Sequence, residues 1–417
     1  MKISRNYHLG KLIAARHNGL IKVVTGMRRC GKSYLLNELF RDYLLANGVD
    51  GKQIIQVALD MRRNKALRNP DTLCDYVESQ ARGEEMHYVL LDEIQMVDDF
   101  EGVLNEFLHF PNMDVYVTGS NSRFLSTDII TEFRGRGHEI HIQPLSFAEF
   151  FQAKGGERQT AWNEYLLYGG MPFLFHLEND EQKSAYLKSL FAEVYKKDIT
   201  DRNRIRYPDD MEKIVSVLAS SVGSLTNPLN LSNAFRSMSK RKISQATIAR
   251  YCKYLEDAFL VSKARRYDVK GKRYISSPYK YYFEDIGIRN AHLNFRQHEL
   301  SHLMENAIYN ELRLRGFNVD VGIIEGRARG DSGRQERVTY EIDFVANLGS
   351  KRYYVQSAFS MPDEAKREQE NRPLRQTGDS FRKIIVTADG TGIWRNNDGH
   401  AIMNVQDFLL NPNSLDV

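Results

Sequence analysis

Gly26-Met27-Arg28-Arg29-Cys30-Gly31-Lys32-Ser33 satisfies the phosphate-cradling pattern G-x-x-x-x-G-K-[ST] at every fixed position. Its flanks are what that chemistry needs. Ile21-Lys22-Val23-Val24-Thr25 reads as a short buried strand, and Ser33-Tyr34-Leu35-Leu36-Asn37-Glu38-Leu39-Phe40 carries apolar residues at helical spacing. A strand, a glycine turn and a helix N-terminus aim several backbone N–H groups at one point. Residues 26–34, Tyr34 included, are therefore the expected binding loop, with Lys32 reaching the terminal phosphates and Ser33 holding a magnesium ion. An ordinary strand-turn-helix corner is the bland alternative, and the flanking pattern weighs against it.

Sixty residues on, Tyr88-Val89-Leu90-Leu91-Asp92-Glu93 is an apolar run ending in two carboxylates, as expected of a buried parallel strand whose C-terminal end faces a ligand crevice. Asp92 is placed to orient Mg²⁺ together with Ser33. Glu93, one residue further out, is placed to polarise a water against the γ-phosphate. A third strand, Val115-Tyr116-Val117-Thr118-Gly119-Ser120-Asn121, ends in small polar residues. Ser120 or Asn121 either touches the γ-phosphate or its attacking water, or forms a turn or helix cap. Downstream, Arg134 and Arg136 flank Gly135 before another strand. Either suits an arginine finger toward the γ-phosphate of its own or a neighbouring subunit, or a solvated surface turn.

These pieces in this order resemble the AAA-type branch of P-loop ATPases. More closely, the chain is similar to prokaryotic ATP-binding proteins in which such a domain precedes a C-terminal domain of unknown function with a restriction-endonuclease-like look. The words that carry the likeness are residues 24–33, Leu91-Asp92-Glu93-Ile94-Gln95, Thr118-Gly119-Ser120-Asn121-Ser122, Arg134-Gly135-Arg136 and Pro144-Leu145-Ser146-Phe147-Ala148-Glu149-Phe150. Tyr168-Gly169-Gly170-Met171-Pro172 and Ser277-Pro278-Tyr279-Lys280-Tyr281-Tyr282-Phe283-Glu284-Asp285 extend it into the second half. The resemblance implies nucleotide-dependent switching or hydrolysis and supplies no substrate.

Length and composition agree. A chain of 417 residues has room for two or three domains, each with its own core. Hydrophobic residues at 42% and charged residues at 27% are those of a globular protein. No apolar run approaches a membrane span, and the first eight residues lack an apolar signal region. Cys30, Cys74 and Cys252 are scattered, which suggests neither a disulfide framework nor a zinc site. A cytoplasmic protein without a membrane partner is expected.

The expected class is α/β in four units. Residues 1–151 form the ATPase domain, a parallel sheet with helices on both faces, behind a lead-in that packs over the adenine. Residues 152–205 form a helical lid. Residues 206–294 form a winged-helix-like basic module. Residues 295–417 form the endonuclease-like domain. Net charge is only +4, yet residues 235–280 hold thirteen Lys/Arg against three Asp/Glu. Within them, residues 244–256 read as a capped helix with Ile248, Tyr251 and Leu255 inward. Arg265-Arg266-Tyr267-Asp268-Val269-Lys270-Gly271-Lys272-Arg273-Tyr274 reads as a basic hairpin. A helix-turn-helix with a basic wing suits duplex DNA, and protein packing with a solvated basic face is the other reading.

In the endonuclease-like fold, the resemblance implies two carboxylates on Mg²⁺ and a supporting lysine. Glu305 and Asp343 match, whereas Gln356-Ser357-Ala358 stands where Glu-x-Lys is expected, so binding without cleavage is the favoured reading. Glu341 is a substitute ligand, and a metal-dependent nuclease stays open through Glu305, Glu341 and Asp343. Two function classes follow from the whole chain. One is an ATPase whose hydrolysis drives a conformational cycle, with a homo-oligomer and DNA as candidate partners. The other is a nucleotide-dependent binding module with little turnover.

Overall fold

The strand before the glycine loop, β1 (Ile21–Thr25), is buried at every position because both of its faces are covered. The computed structural model describes residues 2–119, 135–239, 242–329, 335–390 and 392–417. Four more strands join the first: β2 (Ile54–Ala58), β3 (His87–Asp92), β4 (Met113–Thr118) and β5 (Gly137–His141). They pair in the order β2-β3-β4-β1-β5, all parallel, so every C-terminal end opens on one edge. One face packs Val23, Val89 and Val115 against Leu73 and Val77 of the helix Pro70–Gln80 and Phe107 of Phe100–Phe107. The other packs Val24, Leu90 and Tyr116 against Leu36 and Phe40 of the helix that follows the loop. Lys22 breaks the apolar run, yet it is fully buried. It forms an ion pair with Asp114 of β4, and the Tyr116 hydroxyl donates to the same carboxylate at 2.9 Å.

The chain leaves this sheet through helices Phe147–Lys154, Arg158–Tyr168 and Asp180–Glu193, the last continuing as a π-helical Val194–Asp201. Three helices follow, Pro208–Ser220, Pro228–Met238 and Gln245–Asp257. Ser244 caps the third by accepting from Thr247 N–H at 3.1 Å, and Ile248, Tyr251 and Leu255 are buried, as the spacing predicts. Next come β6 (Val261–Asp268) and β7 (Arg273–Phe283), an antiparallel hairpin; Thr226 bridges to Tyr279 on its far strand.

The hairpin does not stand apart. Beyond the helices Ile286–His292 and Leu300–Leu314 lie β8 (Asn318–Arg329), β9 (Gln335–Leu348), β10 (Lys351–Ala358), β11 (Arg382–Thr387), β12 (Ile393–Arg395) and β13 (Ala401–Asn404). With the hairpin they form one eight-stranded sheet in the order β12-β13-β11-β10-β9-β8-β6-β7. Arg266 pairs in parallel with Val321, and Asp268 with Ile323. The sheet thus draws strands from both sides of the boundary expected at 294/295, which itself lies between the helices Ile286–His292 and Leu300–Leu314. Pairing between segments fifty residues apart leaves no local periodicity, which is why the sequence pattern splits what hydrogen bonds join.

The two halves share one apolar core, from Ile3 to Leu415. Asp285, the N-cap of the helix Ile286–His292, accepts from Gly170 N–H and from Ile288 N–H, both at 2.8 Å. Gly170 lies so close to Leu145 that a Cβ would stand 2.1 Å from its carbonyl oxygen. Burial pushes the Asp285 carboxyl up to about 6 against the pull of these backbone donors. Two of the words that carried the resemblance therefore meet as one packing contact.

Candidate nucleotide site

The glycine loop takes its shape from close approach. Gly26 has φ +140°, and a Cβ there would stand 2.2 Å from the Ile142 carbonyl oxygen, so no other residue fits without moving the backbone just past β5. Gly31 has φ +101° at the helix entry. Met27 and Cys30 are buried beneath the loop, while Arg29 is exposed on it. Arg5 clamps the loop from below: buried, it donates to the Cys30 carbonyl at 2.9 Å, the Gln143 carbonyl at 2.6 Å and Glu149 Oε1 at 3.0 Å. Lys32 is curled onto the loop, its Nζ donating to the Gly26 and Met27 carbonyls at 2.8 and 3.0 Å.

Asp92 at the end of β3 is where the polar side chains converge. Ser33 Oγ donates to its Oδ1 at 3.0 Å, Asn37 Nδ2 donates to Oδ2 at 3.1 Å, and the Thr118 hydroxyl also donates to it. Burial raises the Asp92 pKa, and the Thr118 and Ser33 hydroxyls oppose that rise by bonding to the charged form. These oxygens are hard donors, and a magnesium ion held by one or two protein oxygens beside phosphates suits them better than an all-protein cage. No cluster of three or more His, Cys, Asp or Glu fit to hold a metal occurs among the described residues. Glu93 follows in a left-handed conformation with φ +57°. Its N–H donates to Thr118 Oγ1 at 3.0 Å, and its carboxylate accepts from the Gln95 amide. Asn37 lies one helical turn past Ser33 and was open to reading from spacing; Thr118 sat in the quoted strand without a role.

Lys32, Ser33, Tyr34 and Glu93 line a cavity of about 850 Å³, closed from the other side by Pro172, Phe173 and the helix Asp180–Glu193. The lead-in reaches it as well: Ile3 lines the cavity, and Tyr34 donates to the Ile3 carbonyl at 3.3 Å. Arg28 spans the gap, donating to Asp198 through Nε at 3.0 Å and Nη2 at 2.8 Å. Those hydrogen bonds to Asp198 hold the guanidinium pKa above its ordinary value.

Arg136 is elsewhere. Its carbonyl accepts from Ile21 N–H at 2.9 Å, at the start of β1, whereas the loop follows the end of that strand. Five residues at about 3.3 Å each separate the two edges by roughly 16 Å. Strand direction therefore sets Arg136 away from its own γ-phosphate, which leaves the neighbouring-subunit alternative and the solvated surface turn. Ser120, Asn121 and Arg134 lie outside the described residues.

In the second sheet, Glu305 of the helix Leu300–Leu314 and Asp343 of β9 do come together, and Glu341 joins them. At their centre is a residue that sequence reasoning missed. Lys280 of β7 lies 3.0 Å from Glu305, 2.9 Å from Glu341 and 3.2 Å from Asp343. Burial works against its charge, but the carboxylates of Glu305, Asp343 and Glu341 outweigh burial and hold its pKa well above the ordinary value. Tyr282 adds a 2.6 Å hydrogen bond to Glu305. Gln356 accepts from the Asp343 N–H at 3.4 Å through Oε1 and donates to Glu370 at 3.0 Å through Nε2. The carboxylates thus already have a cation, delivered from a strand sixty residues upstream.

A family model described as an AAA domain matches residues 18–151, and one described as a domain of unknown function, DUF8612, matches residues 159–299. An uncharacterized protein of Haemophilus influenzae is 32% identical over 417 residues, covering 98% of each chain. An uncharacterized protein of Methanocaldococcus jannaschii is 26% identical over 84% of this chain and 77% of its own. Among solved structures, AMPPCP-bound DnaA from Aquifex aeolicus aligns with 60% of this chain and 86% of its own, at 14% identity and a TM-score of 0.31, an overlap too slight to carry weight. No helix among the described residues is long and apolar enough to cross a membrane.

Proposed function

The chain belongs to the family of that Haemophilus influenzae protein, with a nucleotide-binding AAA domain in its first half, and on that premise we propose that it binds ATP with Mg²⁺ and hydrolyses it to drive a conformational cycle. The observation that carries this reading is the convergence of Lys32, Ser33 and Glu93 on one cavity, with Asp92 directly behind Ser33. The loop N–H groups and Lys32 hold the β- and γ-phosphates, for which Lys32 exchanges its two carbonyl partners. Ser33 and Asp92 would hold a magnesium ion, which would supply positive charge beside the phosphates. Glu93 orients a water and takes its proton as oxygen bonds to the γ-phosphorus and the bond to the β-phosphate oxygen breaks, leaving ADP and phosphate.

Steady-state ATP turnover with and without DNA tests the proposal, and turnover close to zero in both would favour the binding-module reading. Lys32→Ala should weaken nucleotide binding by about 1.5–3 kcal/mol, the worth of one charge-assisted hydrogen bond. Calorimetric titration with a non-hydrolysable ATP analogue reads this, and unchanged affinity in a folded variant would refute the assignment.

Arg136, exposed on the edge away from its own loop, is assigned to a neighbouring subunit's γ-phosphate. Turnover per chain should then rise with protein concentration, and Arg136→Ala mixed with Lys32→Ala should recover activity that neither has alone. A concentration-independent rate without complementation would leave the site complete within one chain.

The DNA partner rests on residues 235–280. Three helices followed by a hairpin, with Thr226 bridged to the hairpin's second strand, match the winged-helix order. The Lys280 cluster is read as a packing device and not as a nuclease, since the Lys280 ammonium already occupies the point on which its three carboxylates converge.

A further inference from the structure

A second cavity, of about 510 Å³, lies between residues 203–210 and the helix Gln245–Asp257. Arg204 and Arg206 enter it from one segment, Lys242 and Arg250 from the other. All four side chains are exposed. None has a carboxylate within ion-pair distance among the described residues, although neighbouring cations do: Lys253 pairs with Asp257 at 2.7 Å, Lys263 with Glu256 at 3.4 Å and Arg273 with Asp268 at 3.6 Å. Asp210 is the one acid in the lining. Four cations outnumber the one acid around this concavity, and together they create a field that a multivalent anion relieves. Tyr207 stands at the rim with the Arg206 guanidinium 5.3 Å from its ring centroid, an arrangement that keeps a flat, cationic surface open to solvent.

We propose that this cavity holds the phosphodiester backbone of a DNA strand, with Arg204, Arg206, Lys242 and Arg250 on the phosphates. The inference rests on the reading that the second half of the chain takes DNA, and it moves the contact. The basic hairpin at residues 265–274 is the surface a wing would offer, whereas the cavity draws half of its cations from residues 204 and 206, outside the basic stretch altogether. It also ties DNA to the nucleotide site. Arg204 lies three residues beyond the π-helical Val194–Asp201, whose Asp198 receives the loop's Arg28.

Fluorescence anisotropy of the full chain with a labelled duplex of 25–30 base pairs (roughly one to two protein footprints), between 50 and 200 mM salt, tests this. Arg206→Ala/Arg250→Ala should weaken binding at least tenfold and lower the salt slope by about two, since each lost phosphate contact removes about 0.9. Arg206→Lys/Arg250→Lys should keep most of the slope. Lys270→Ala/Lys272→Ala, an equal charge change at the hairpin turn, should do markedly less. Excess inorganic phosphate and ATP should compete poorly; displacement at equal phosphate concentration would make the cavity a small-anion site and overturn the proposal. Wild-type affinity in the cavity variant, or equal losses in cavity and hairpin variants, would overturn it while leaving DNA binding in place. No salt-sensitive binding of DNA by the wild type would remove both readings together.

Discussion

Glu93→Gln is expected to bind ATP·Mg²⁺ nearly as tightly as the parent while steady-state turnover falls by about 10²–10⁴, the usual worth of a positioned general base. The substitution preserves shape and hydrogen-bonding reach and removes only basicity. Two features favour a clean result. Glu93 is fixed by its own N–H on Thr118 and by its unusual φ, so the backbone does not depend on the carboxylate. Gln95, which donates to that carboxylate, finds an amide oxygen in the variant. Equilibrium binding of a labelled ATP analogue and phosphate release, measured on one preparation, separate the two quantities. Parental turnover would move the base elsewhere. Loss of binding together with turnover would make Glu93 a structural residue.

Lys280→Met is expected to cost about 3–5 kcal/mol of stability near neutral pH, because removing one partner from a buried ion cluster leaves the others uncompensated. Three carboxylates would face one another without their cation. The pH dependence follows from the sign of the shift. Burial already raises the Glu305 pKa above its ordinary value, and Lys280 opposes that rise. Without the lysine the rise is larger. A carboxyl whose folded pKa exceeds its unfolded one holds the extra proton in the folded state, so its contribution favours folding at low pH and is lost as pH rises through the folded value. The penalty in the variant should therefore be larger at pH 8 than at pH 5. Urea denaturation with amide exchange at β9 and β10 reads it. An unchanged transition at both values would show that the cluster is solvated and carries no structural weight.

The nucleotide-binding AAA domain was legible in local pattern because its devices are local. The glycine loop, the apolar run ending in Asp92-Glu93 and the capped helix from Ser244 each depend on neighbours within about ten residues, over which spacing encodes direction. Even there the sequence left gaps of one kind. Arg5, Asn37 and Thr118 shape the loop and its acidic partner, yet each is an ordinary residue until another segment is laid beside it.

What the sequence by itself determined is the chemistry on offer: a phosphate loop, two carboxylates at a strand end, a basic stretch and a set of carboxylates in the last third of the chain. Tertiary structure decided which of these meet. Strand direction sent Arg136 to the wrong edge for its own loop, and pairing of β6 with β8 merged two expected units into one sheet. The same sheet carried Lys280 into the carboxylates that lacked a partner. Side-chain periodicity records only which face a residue presents to its own element. Which element lies opposite is settled by burial and hydrogen bonding across the chain, and a buried charge reveals its purpose only when its counter-charge arrives.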